Sequence, residues 1–336
     1  MKGSVIALGK VGEAPAAALV VDGRLDDLIV DPADPSVPRP GTIFRAVADR
    51  PAKGMGGQFV RLGGGQNGFL RNGQIPAGKP ALVQVTGYAE PGKAVPVTAK
   101  LLFKARFAIL TPGAPGVNVS RRIRDQARAA ELVDLAGRTV PEARGVILRS
   151  CAETAEDDAI AAELTELHQV ATRIGKDAGA DRSALLLGGP DAHEVARVEW
   201  PQADESGAEF ADHGVADMIA DMRLARCDLA RGASAWIEPT RALVAVDVNT
   251  GGDRSPAAGL KANIALASDL PRQLRCRGLG GQIVVDFAPF PKKDRHTVEQ
   301  ALRAAFRRDA VDTALVGWTP MGNFELQRKR ARWPVI

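Results

Sequence analysis

The sequence predicts a multidomain protein of mixed α+β and α/β class, and three observations lead to this fold class. The chain has 336 residues, which suggests two or three folding units at roughly 100–200 residues per domain. Short strand patterns separated by glycines fill residues 41–104, which predicts a small barrel. Apolar runs alternate with helical patterns after residue 240, which predicts an α/β layer.

The first element is predicted to be a β-hairpin. Residues 1–32 alternate apolar and polar side chains around Asp22-Gly23, a dipeptide typical of tight hairpin turns. The proline-rich segment 31–40 follows and is the first candidate domain boundary.

Residues 41–104 are predicted to form an OB-like barrel. Five β-rich runs lie at 42–47, 58–62, 68–70, 81–86 and 94–102. Phe59 and Phe69 belong to this segment, where aromatic side chains can either stack bases of a single strand or fill the core. The glycine-rich run 63–68 is predicted to be a hairpin turn, because no Gly-Lys-Ser/Thr motif follows to make a nucleotide site.

The rest of the chain is predicted to mix strands with helices. In the middle region, strand patterns occupy 107–110, 145–148 and 184–187, and helical patterns occupy 121–136, 154–175 and 211–226. In the last third, strand patterns at 242–248, 282–288 and 313–316 alternate with helices at 258–277 and 295–309. This β-α-β-α-β order predicts a layer whose strands are largely buried.

Two aspartates occupy comparable positions in that layer. Asp247 ends one apolar run and Asp286 ends the next, with Asn249 beside the first. Ligands collect where strands of α/β sheets end, and two neighbouring carboxylates repel each other unless a hard cation such as Mg²⁺ lies between them. Either aspartate could instead cap a helix or anchor a turn, and the pattern leaves both interpretations open.

Basic residues surround the second aspartate. Lys292 and Arg295 follow it closely, and such side chains contact phosphates in sequence-independent nucleic-acid binding. A solvated helix face is the alternative, and it is the interpretation we prefer for Arg303 and Arg307. The whole chain carries a formal charge of only +4, so any polyanion would be bound locally.

Other classes are disfavoured by what the sequence lacks. The three cysteines, Cys151, Cys227 and Cys276, are far apart, which supports neither a disulfide framework nor a zinc site. No signal peptide is recognisable and no apolar run approaches about 18 residues, so we expect a cytoplasmic protein without a membrane segment.

A long ordered signature then emerges around the two aspartates. It consists of Asp247-Val-Asn-Thr-Gly, Asn263 and the run from Arg272 through Gln-Leu-Arg-Cys-Arg-Gly-Leu-Gly-Gly-Gln-Ile-Val-Val-Asp to Phe287. This signature resembles the catalytic core of the ribonuclease E/G family, and the likeness continues through Arg295-His296, Glu299 and 325–330. Upstream, residues 18–28, 59–70, 116–123 and 146–150 resemble further segments of the same family.

The resemblance implies a four-part organisation. Residues 1–40 and 181–232 would form an RNase H-like subdomain, and 41–104 a shortened S1 (OB) RNA-binding barrel. Residues 105–180 would form a 5′-phosphate sensor region, and 233–336 a DNase I-like catalytic subdomain.

The resemblance also implies an endoribonuclease that cuts single-stranded RNA and leaves a 5′-phosphate and a 3′-hydroxyl. Asp247 and Asp286 would hold Mg²⁺, with Mn²⁺ as an alternative, and Asn249 would orient the site. The 5′-phosphate would be bound by Arg128, Arg149 and Ser150, where the family usually has Thr at the last position. Phe59, Phe69, Lys292 and Arg295 are the predicted RNA-binding residues.

Three departures from the family qualify this expectation. No zinc-linking Cys-Pro-x-Cys motif follows the catalytic region, so a zinc-linked tetramer is not expected and a homodimer stays open. Pro271 interrupts a helical stretch and predicts a kink. Pro320 stands about where another phosphate-sensing arginine is expected, which predicts a weakened sensor.

Two rival functions remain from the sequence alone. One is a non-catalytic RNA-binding protein that keeps the ribonuclease E/G fold, and the other is a phosphate-handling α/β enzyme acting on small molecules. The natural RNA, ribosomal precursor or messenger, also stays open.

Overall fold

The computed structural model describes residues 2–141 and 144–335. Its strands are β1 (Ser4–Val11), β2 (Ala14–Val21), β3 (Arg24–Val30), β4 (Ile43–Ala52), β5 (Gly57–Gly63), β6 (Gln66–Arg71), β7 (Pro80–Val85), β8 (Val95–Thr98), β9 (Phe103–Lys104), β10 (Ala108–Thr111), β11 (Gly116–Val119), β12 (Gly145–Leu148), β13 (Ala184–Leu187), β14 (Glu205–Glu209), β15 (Arg226–Asp228), β16 (Ser234–Pro239), β17 (Val244–Asn249), β18 (Gly281–Asp286), β19 (Thr313–Trp318) and β20 (Phe324–Arg328). Its helices are α1 (Gln126–Thr139), α2 (Asp157–Lys176), α3 (Ala192–Glu199), α4 (Val215–Arg223), α5 (Ala258–Arg277) and α6 (Arg295–Phe306).

These elements form two compact units. Met1–Ala33 and Pro201–Ile336 make the first, which we call the terminal unit, and Asp34–Trp200 make the second, the inserted unit. The predicted division at residues 40, 104, 180 and 232 stays a prediction. In the structure, β13 pairs with β4, and both strands belong to the inserted unit.

The N-terminal strands of the terminal unit form a meander. β1, β2 and β3 are consecutive antiparallel neighbours, and β14 adds to β1 in parallel, giving the order β14-β1-β2-β3. Asp22 and Gly23 connect β2 to β3 with φ values of 50° and 75°. Positive φ at both positions is what a two-residue hairpin turn requires, so the predicted hairpin is confirmed and has a third strand.

The inserted unit contains a closed barrel. β4, β5, β6, β8 and β7 follow one another around it, and β7 pairs with β4 to close the ring. Val60, Leu62 and Leu70 are buried in its centre because they alternate with exposed residues along their strands. The prediction of a small five-stranded barrel is confirmed, and the structure is consistent with an OB fold.

The remainder of the inserted unit is a second α+β layer. Its sheet has the order β11-β12-β10-β9, and α1 and α2 contribute to the same core. Leu132 of α1 and Leu164 of α2 are fully buried there with Leu110 and Leu148 of the sheet. Both helices therefore have one apolar face that the sheet covers.

The last third of the chain forms a six-stranded sheet with the order β15-β16-β17-β18-β20-β19. β17 and β18 are parallel and α5 connects them, as the alternating pattern predicted. Leu266 and Leu270 of α5 share one core with Val298 and Leu302 of α6. The predicted α/β layer is thus confirmed, and β15, β16 and β20 extend it beyond the expected strands.

Pro271 lies inside α5, and the helix continues across it to Arg277. The proline itself is buried. Across residues 2–141 and 144–335, no helix has the length and apolarity needed to cross a membrane.

Candidate active site

Asp247 and Asp286 are direct neighbours across two strands. In the parallel pairing of β17 with β18, the two residues are Cα partners. Neighbouring strands lie about 4.8 Å apart, and directly paired residues project to the same face of a sheet. Both aspartates are exposed. The structure therefore brings together the two carboxylates that the sequence singled out.

The strand period explains why both carboxylates are exposed. In β17, Val244, Val246 and Val248 are buried, whereas Asp247 and Asn249 are exposed. β18 repeats the alternation, with Ile283 and Val285 buried and Asp286 exposed. The buried residues belong to the core that contains α5 and α6. β17 and β18 are hence buried on one face and open on the other, which corrects the expectation that these strands are largely buried.

In the part of the chain that the structure describes, the two carboxylates of the site have no positively charged partner. The Asn249 Nδ2 amide donates a 2.7 Å hydrogen bond to Oδ2 of Asp247. Among the described residues, Asp286 has neither a hydrogen bond nor an ion pair to its carboxylate, and Asp247 has no cationic partner. Two like charges side by side without a counter-charge favour binding of a cation.

The donor set fits a hard divalent cation better than a transition metal. In the described part of the chain, no group of three or more His, Cys, Asp or Glu side chains is arranged to hold a metal. Two exposed carboxylates suit Mg²⁺, which keeps several waters when proteins hold it through one or two carboxylates. A closed structural zinc site would need four ligands.

Asn263 fixes the loop that leaves the site. This fully buried residue of α5 donates through Nδ2 to the carbonyl oxygen of Ala288 at 2.9 Å and accepts from the Ala288 N–H at 3.0 Å. Gly259, one turn earlier, approaches so closely that an added Cβ would collide with the Pro289 carbonyl oxygen. The backbone two residues beyond Asp286 is consequently held at both polar groups. Asn263 appeared in the family signature but not among the predicted site residues.

Lys292 and Arg295 differ in their surroundings. Lys292 is exposed in a short 3₁₀ turn, Lys292–Asp294, that precedes α6. The Arg295 guanidinium lies 4.5 Å from the ring centroid of Trp318, a cation–π contact, and is half-buried. Trp318 in turn donates from Nε1 to Glu299 at 2.7 Å. Lys292 is the freer of the two cations to contact a phosphate.

Phe59 and Phe69 pack against each other on the outside of the barrel. They are Cα partners of β5 and β6, and their ring centroids are 5.2 Å apart with an interplanar angle of 64°. Both rings are half-buried, whereas the alternating residues fill the barrel core. Exposed Arg61 and Arg71 lie on the same two strands. Arg61 is paired with the partly exposed Asp49 at 3.0 Å. This face combines aromatic rings with two arginines, one of them in a partly exposed ion pair.

Arg128 already has several partners inside the inserted unit. Its guanidinium bonds to Asp157 at 2.8 Å and to Glu131 at 3.3 Å, and it donates to the carbonyl oxygen of Ala155 at 2.8 Å. The hydrogen bond to Asp157 raises the pKa of Arg128 above its ordinary value. A 5′-phosphate at Arg128 would compete with two carboxylates.

Arg149 is similarly engaged. It donates to the carbonyl oxygens of Ala105 and Val198 at 2.7 and 3.0 Å and pairs with Glu199 at 2.7 Å. Its side chain is 19% exposed. Ser150 follows it at the start of a 3₁₀ turn, Ser150–Glu153. The assignment of Arg128, Arg149 and Ser150 to phosphate sensing stays a prediction.

The fold and the site together define a class: a multidomain α+β protein with a closed five-stranded barrel and a two-carboxylate site on the open face of a helix-backed sheet. The model of the Ribonuclease E/G family matches residues 103–196 and 190–331, more than half of the chain. The chain therefore belongs to the ribonuclease E/G family, which confirms the resemblance read from the Asp247–Phe287 signature.

Sequence similarity to ribonucleases E and G supports this membership. The chain is 27% identical over 374 residues to ribonuclease E of Nostoc sp., in a match that covers 94% of this chain and 54% of that protein. It is 26% identical over 358 residues to ribonuclease G of Salmonella typhimurium, covering 87% of this chain and 73% of that protein. The chain thus spans about half the length of the Nostoc relative.

Proposed function

We propose that this protein is a metal-dependent endoribonuclease that hydrolyses phosphodiester bonds in single-stranded RNA, leaving a 5′-phosphate and a 3′-hydroxyl. The observation that carries the proposal is the direct pairing of Asp247 with Asp286, both exposed and neither with a cationic partner in the described structure. Membership of a family whose named relatives are ribonucleases E and G supports it.

In this proposal each residue of the site has a distinct task. Asp247 and Asp286 would hold Mg²⁺, which when bound neutralises charge on the phosphate and helps to generate the attacking nucleophile. Asn249 holds the Asp247 carboxylate in one orientation through its 2.7 Å hydrogen bond. Asn263 positions the backbone just after Asp286 through its two bonds to Ala288. Such fixed geometry keeps both carboxylates ready before the RNA arrives.

Single-stranded RNA would also be bound by the barrel of the inserted unit. The outward pair Phe59–Phe69 offers π-faces for bases, and Arg61 and Arg71 offer charge for phosphates. Gly57 supports this arrangement, because a Cβ there would come within 2.6 Å of Phe69 Cζ and displace the ring. Lys292 would add a phosphate contact on the terminal unit.

We further propose that sensing of a 5′-monophosphate is weak in this protein. Arg128 and Arg149 already bind Asp157 and Glu199, and a phosphate would have to displace these carboxylates. We expect RNA with a 5′-monophosphate and RNA with a 5′-hydroxyl to be cut at rates within a few-fold of each other. Rates measured side by side on the same sequence would test this, and a large preference for the monophosphate would contradict it.

The finer family architecture is part of the proposal as well. The sheet β14-β1-β2-β3 would belong to the RNase H-like subdomain, and the six-stranded sheet with α5 and α6 to the DNase I-like subdomain. The closed barrel would correspond to a shortened S1 domain.

The decisive test is cleavage of a short, A/U-rich, fluorescently labelled single-stranded RNA with Mg²⁺, with EDTA as a control. We expect Asp247→Asn and Asp286→Asn each to abolish cutting, because each removes one of two charged ligands. Asp312→Asn is a matched control, since Asp312 is also exposed in the terminal unit but lies outside the paired site. Full activity in either site variant would overturn the metal assignment.

A second measurement separates the enzyme from the rival RNA-binding protein. Mg²⁺ should raise the thermal midpoint of the parent and of Asp312→Asn, because a ligand that binds only the native state stabilises it. Asp286→Asn should lose most of this shift. If the parent binds RNA and Mg²⁺ yet yields no product, the non-catalytic function replaces the proposed one.

A further inference from the structure

The carboxylate pair is part of a longer row of side chains. Asp247 pairs not only with Asp286 but also, on its other side, with Trp236 of β16. Trp236 pairs in turn with Arg226 of β15, at the edge of the sheet. Direct partners project to the same face, so four neighbouring strands present Arg226, Trp236, Asp247 and Asp286 in one line. At about 4.8 Å per strand the line spans roughly 14 Å.

Trp236 is exposed although its neighbours along β16 are buried. The side chain is 42% exposed, whereas Ala235 and Ile237 are completely buried beneath the sheet. In the described part of the chain, the Trp236 ring makes no aromatic or cation–π contact and its Nε1–H makes no hydrogen bond. Trp318, by contrast, is surrounded by Phe287, Phe290 and Phe324. The core thus gains little from Trp236.

We propose that Trp236 stacks on a nucleobase of the RNA directly beside the phosphodiester held at Asp247 and Asp286, and that Arg226 contacts the phosphate beyond it. This inference rests on the proposed function, since it names the residues that position the nucleotide flanking the cut. Stacking on an aromatic ring accepts every base, because every base has a π-face. The row therefore positions a nucleotide without selecting its sequence.

The chemistry of the row favours a single-stranded nucleic acid over a protein partner. Along β16, the residues two positions before and after Trp236 are Ser234 and Glu238, and both are polar. The Arg226 side chain is 58% exposed, and its ion-pair partner among the described residues is the exposed Asp228 at 2.9 Å. An aromatic ring between a cation and a candidate metal site matches a polymer that alternates bases with phosphates.

An abasic scan of the substrate tests the stacking. Single-stranded RNAs with one cleavage site would each carry one abasic position, placed in turn at the two nucleotides on either side of the cut. For the parent, we expect the loss of one base adjacent to the cut to lower kcat/KM roughly 10- to 100-fold. In Trp236→Val that penalty should vanish, because the stacking partner is already missing, while Trp236→Phe should retain most of it.

Val316→Ala is the matched control for the scan. Val316 is 63% exposed on β19 of the same sheet but lies outside the row, so its scan should match that of the parent. The stacking proposal is overturned if each abasic position lowers kcat/KM by the same factor in Trp236→Val as in the parent. This holds even if Trp236→Val is less active than the parent on every substrate, including the intact RNA. Cleavage by the parent would still support the proposed function.

A binding readout keeps the inference testable if the parent does not cut RNA. An oligonucleotide with 2-aminopurine at the position found by the scan, or at each position in turn, would be titrated with protein in Ca²⁺. The parent, Trp236→Phe and Val316→Ala should change the 2-aminopurine fluorescence, and Trp236→Val should not. Equal changes with Trp236→Val would refute stacking, whatever the outcome for cleavage.

Arg226 gives a separate prediction through salt. For a single strand, each phosphate contact adds about 0.7 to the slope of log K against log salt concentration. Arg226→Gln should therefore reduce that slope by about 0.7 and leave the abasic scan unchanged. An unchanged slope would remove Arg226 from the row's function.

Discussion

Two groups of aspartates in the terminal unit differ in their exposure to solvent and in their charged partners. Asp247 and Asp286 lie side by side on the exposed face of the sheet, without a cationic partner among the described residues. The side chain of Asp309 is completely buried and bonds to Arg275 and Arg328, each at 2.5 Å. One pair is open to a cation from solution, and the other group already has its counter-charges.

The buried group is a balanced network. It contains three carboxylates and three guanidinium groups, from Asp26, Asp27, Asp309, Arg275, Arg328 and Arg332. All of these side chains are largely buried except that of Asp26, which is 44% exposed at the edge of the network. Burial lowers the pKa of Arg328, and the nearby charge of Asp309 opposes this effect. Because every charge has a partner, the network can remain ionised inside the protein.

The contrast shows which acidic groups point to function. A buried carboxylate bound by two arginines is accounted for by the fold. The fold does not account for an exposed pair of carboxylates that two strands hold side by side. Their mutual repulsion lowers stability. A bound cation would supply the missing charge and relieve this repulsion. Substitutions in the buried group should therefore lower stability, whereas substitutions in the exposed pair should abolish cleavage.

The largest effect is expected from Asp309→Asn. Removing one partner from a buried charge network leaves Arg275 and Arg328 without their shared counter-charge, which should lower the free energy of unfolding by about 3–5 kcal/mol. Asp286→Asn removes an exposed, repelled charge, and we expect a change within about 0.5 kcal/mol. Urea unfolding of both variants, followed by circular dichroism, measures the difference.

The two variants should show the opposite order in the cleavage assay: the more stable variant should be the inactive one. Asp286→Asn should be folded and inactive, whereas Asp309→Asn should cut RNA at temperatures low enough to keep it folded. Equal stability losses in both variants would show that the exposed pair is as structural as the buried group.

A second substitution tests the connection between fold and site. Asn263→Ala removes two hydrogen bonds to Ala288 and leaves both backbone groups buried and unsatisfied. We expect a loss of about 3 kcal/mol in the free energy of unfolding, together with reduced kcat. Because the loop after Asp286 is then free to shift, the midpoint for Mg²⁺ activation should rise.

Asn263→Asp is a useful companion to that variant. It keeps one acceptor for the Ala288 N–H but places a carboxylate against the Ala288 carbonyl oxygen. Its stability should be no better than that of Asn263→Ala. If both variants keep the parent's Mg²⁺ midpoint, Asn263 supports the fold without positioning the site.

Much of the fold could be predicted from the sequence because its signals are local. The Asp22-Gly23 turn, the five barrel strands and the order of α5 and α6 all depend on short-range patterns. β16 was not predicted, because its sequence, Ser-Ala-Trp-Ile-Glu-Pro, carries few local strand signals. It is a strand because β15 and β17 pair with it on either side. The placement of β13 beside β4 depends on a long-range pairing that no local pattern encodes.

In the candidate site, too, some features follow from local sequence patterns and others depend on long-range strand pairing. Asp247 and Asp286 could be found because each ends an apolar run, but their direct register depends on how β17 and β18 align. The row that includes Trp236 depends on two further alignments. Asp157, one of the two carboxylate partners of Arg128, lies 29 residues away along the chain, and Glu199, the partner of Arg149, lies 50 residues away. Local patterns therefore did not indicate these two ion pairs, although Glu131 lies only three residues from Arg128.

The smallest effect concerns a third kind of aspartate, one that is partly buried and paired. Asp269 accepts hydrogen bonds from Arg272, Gln273 and Arg24. Burial alone raises the pKa of Asp269, but the bond and charge of Arg272 outweigh it, so the pKa lies below the ordinary value of 3.8. A carboxyl group with a lowered pKa stabilises the fold above pH 3.8, and this contribution is lost as the pH falls through the folded-state value.

Asp269→Asn should therefore lower the free energy of unfolding by about 1–2 kcal/mol near neutral pH. The difference from the parent should stay constant down to about pH 5 and shrink below pH 3.8, as the parent's carboxylate becomes protonated. Urea unfolding at a series of pH values measures this, with Asp312→Asn as the exposed control. A difference that persists unchanged at the lowest pH would mean that Asp269 acts through its shape and neutral hydrogen bonds, and that its charge contributes nothing to the fold.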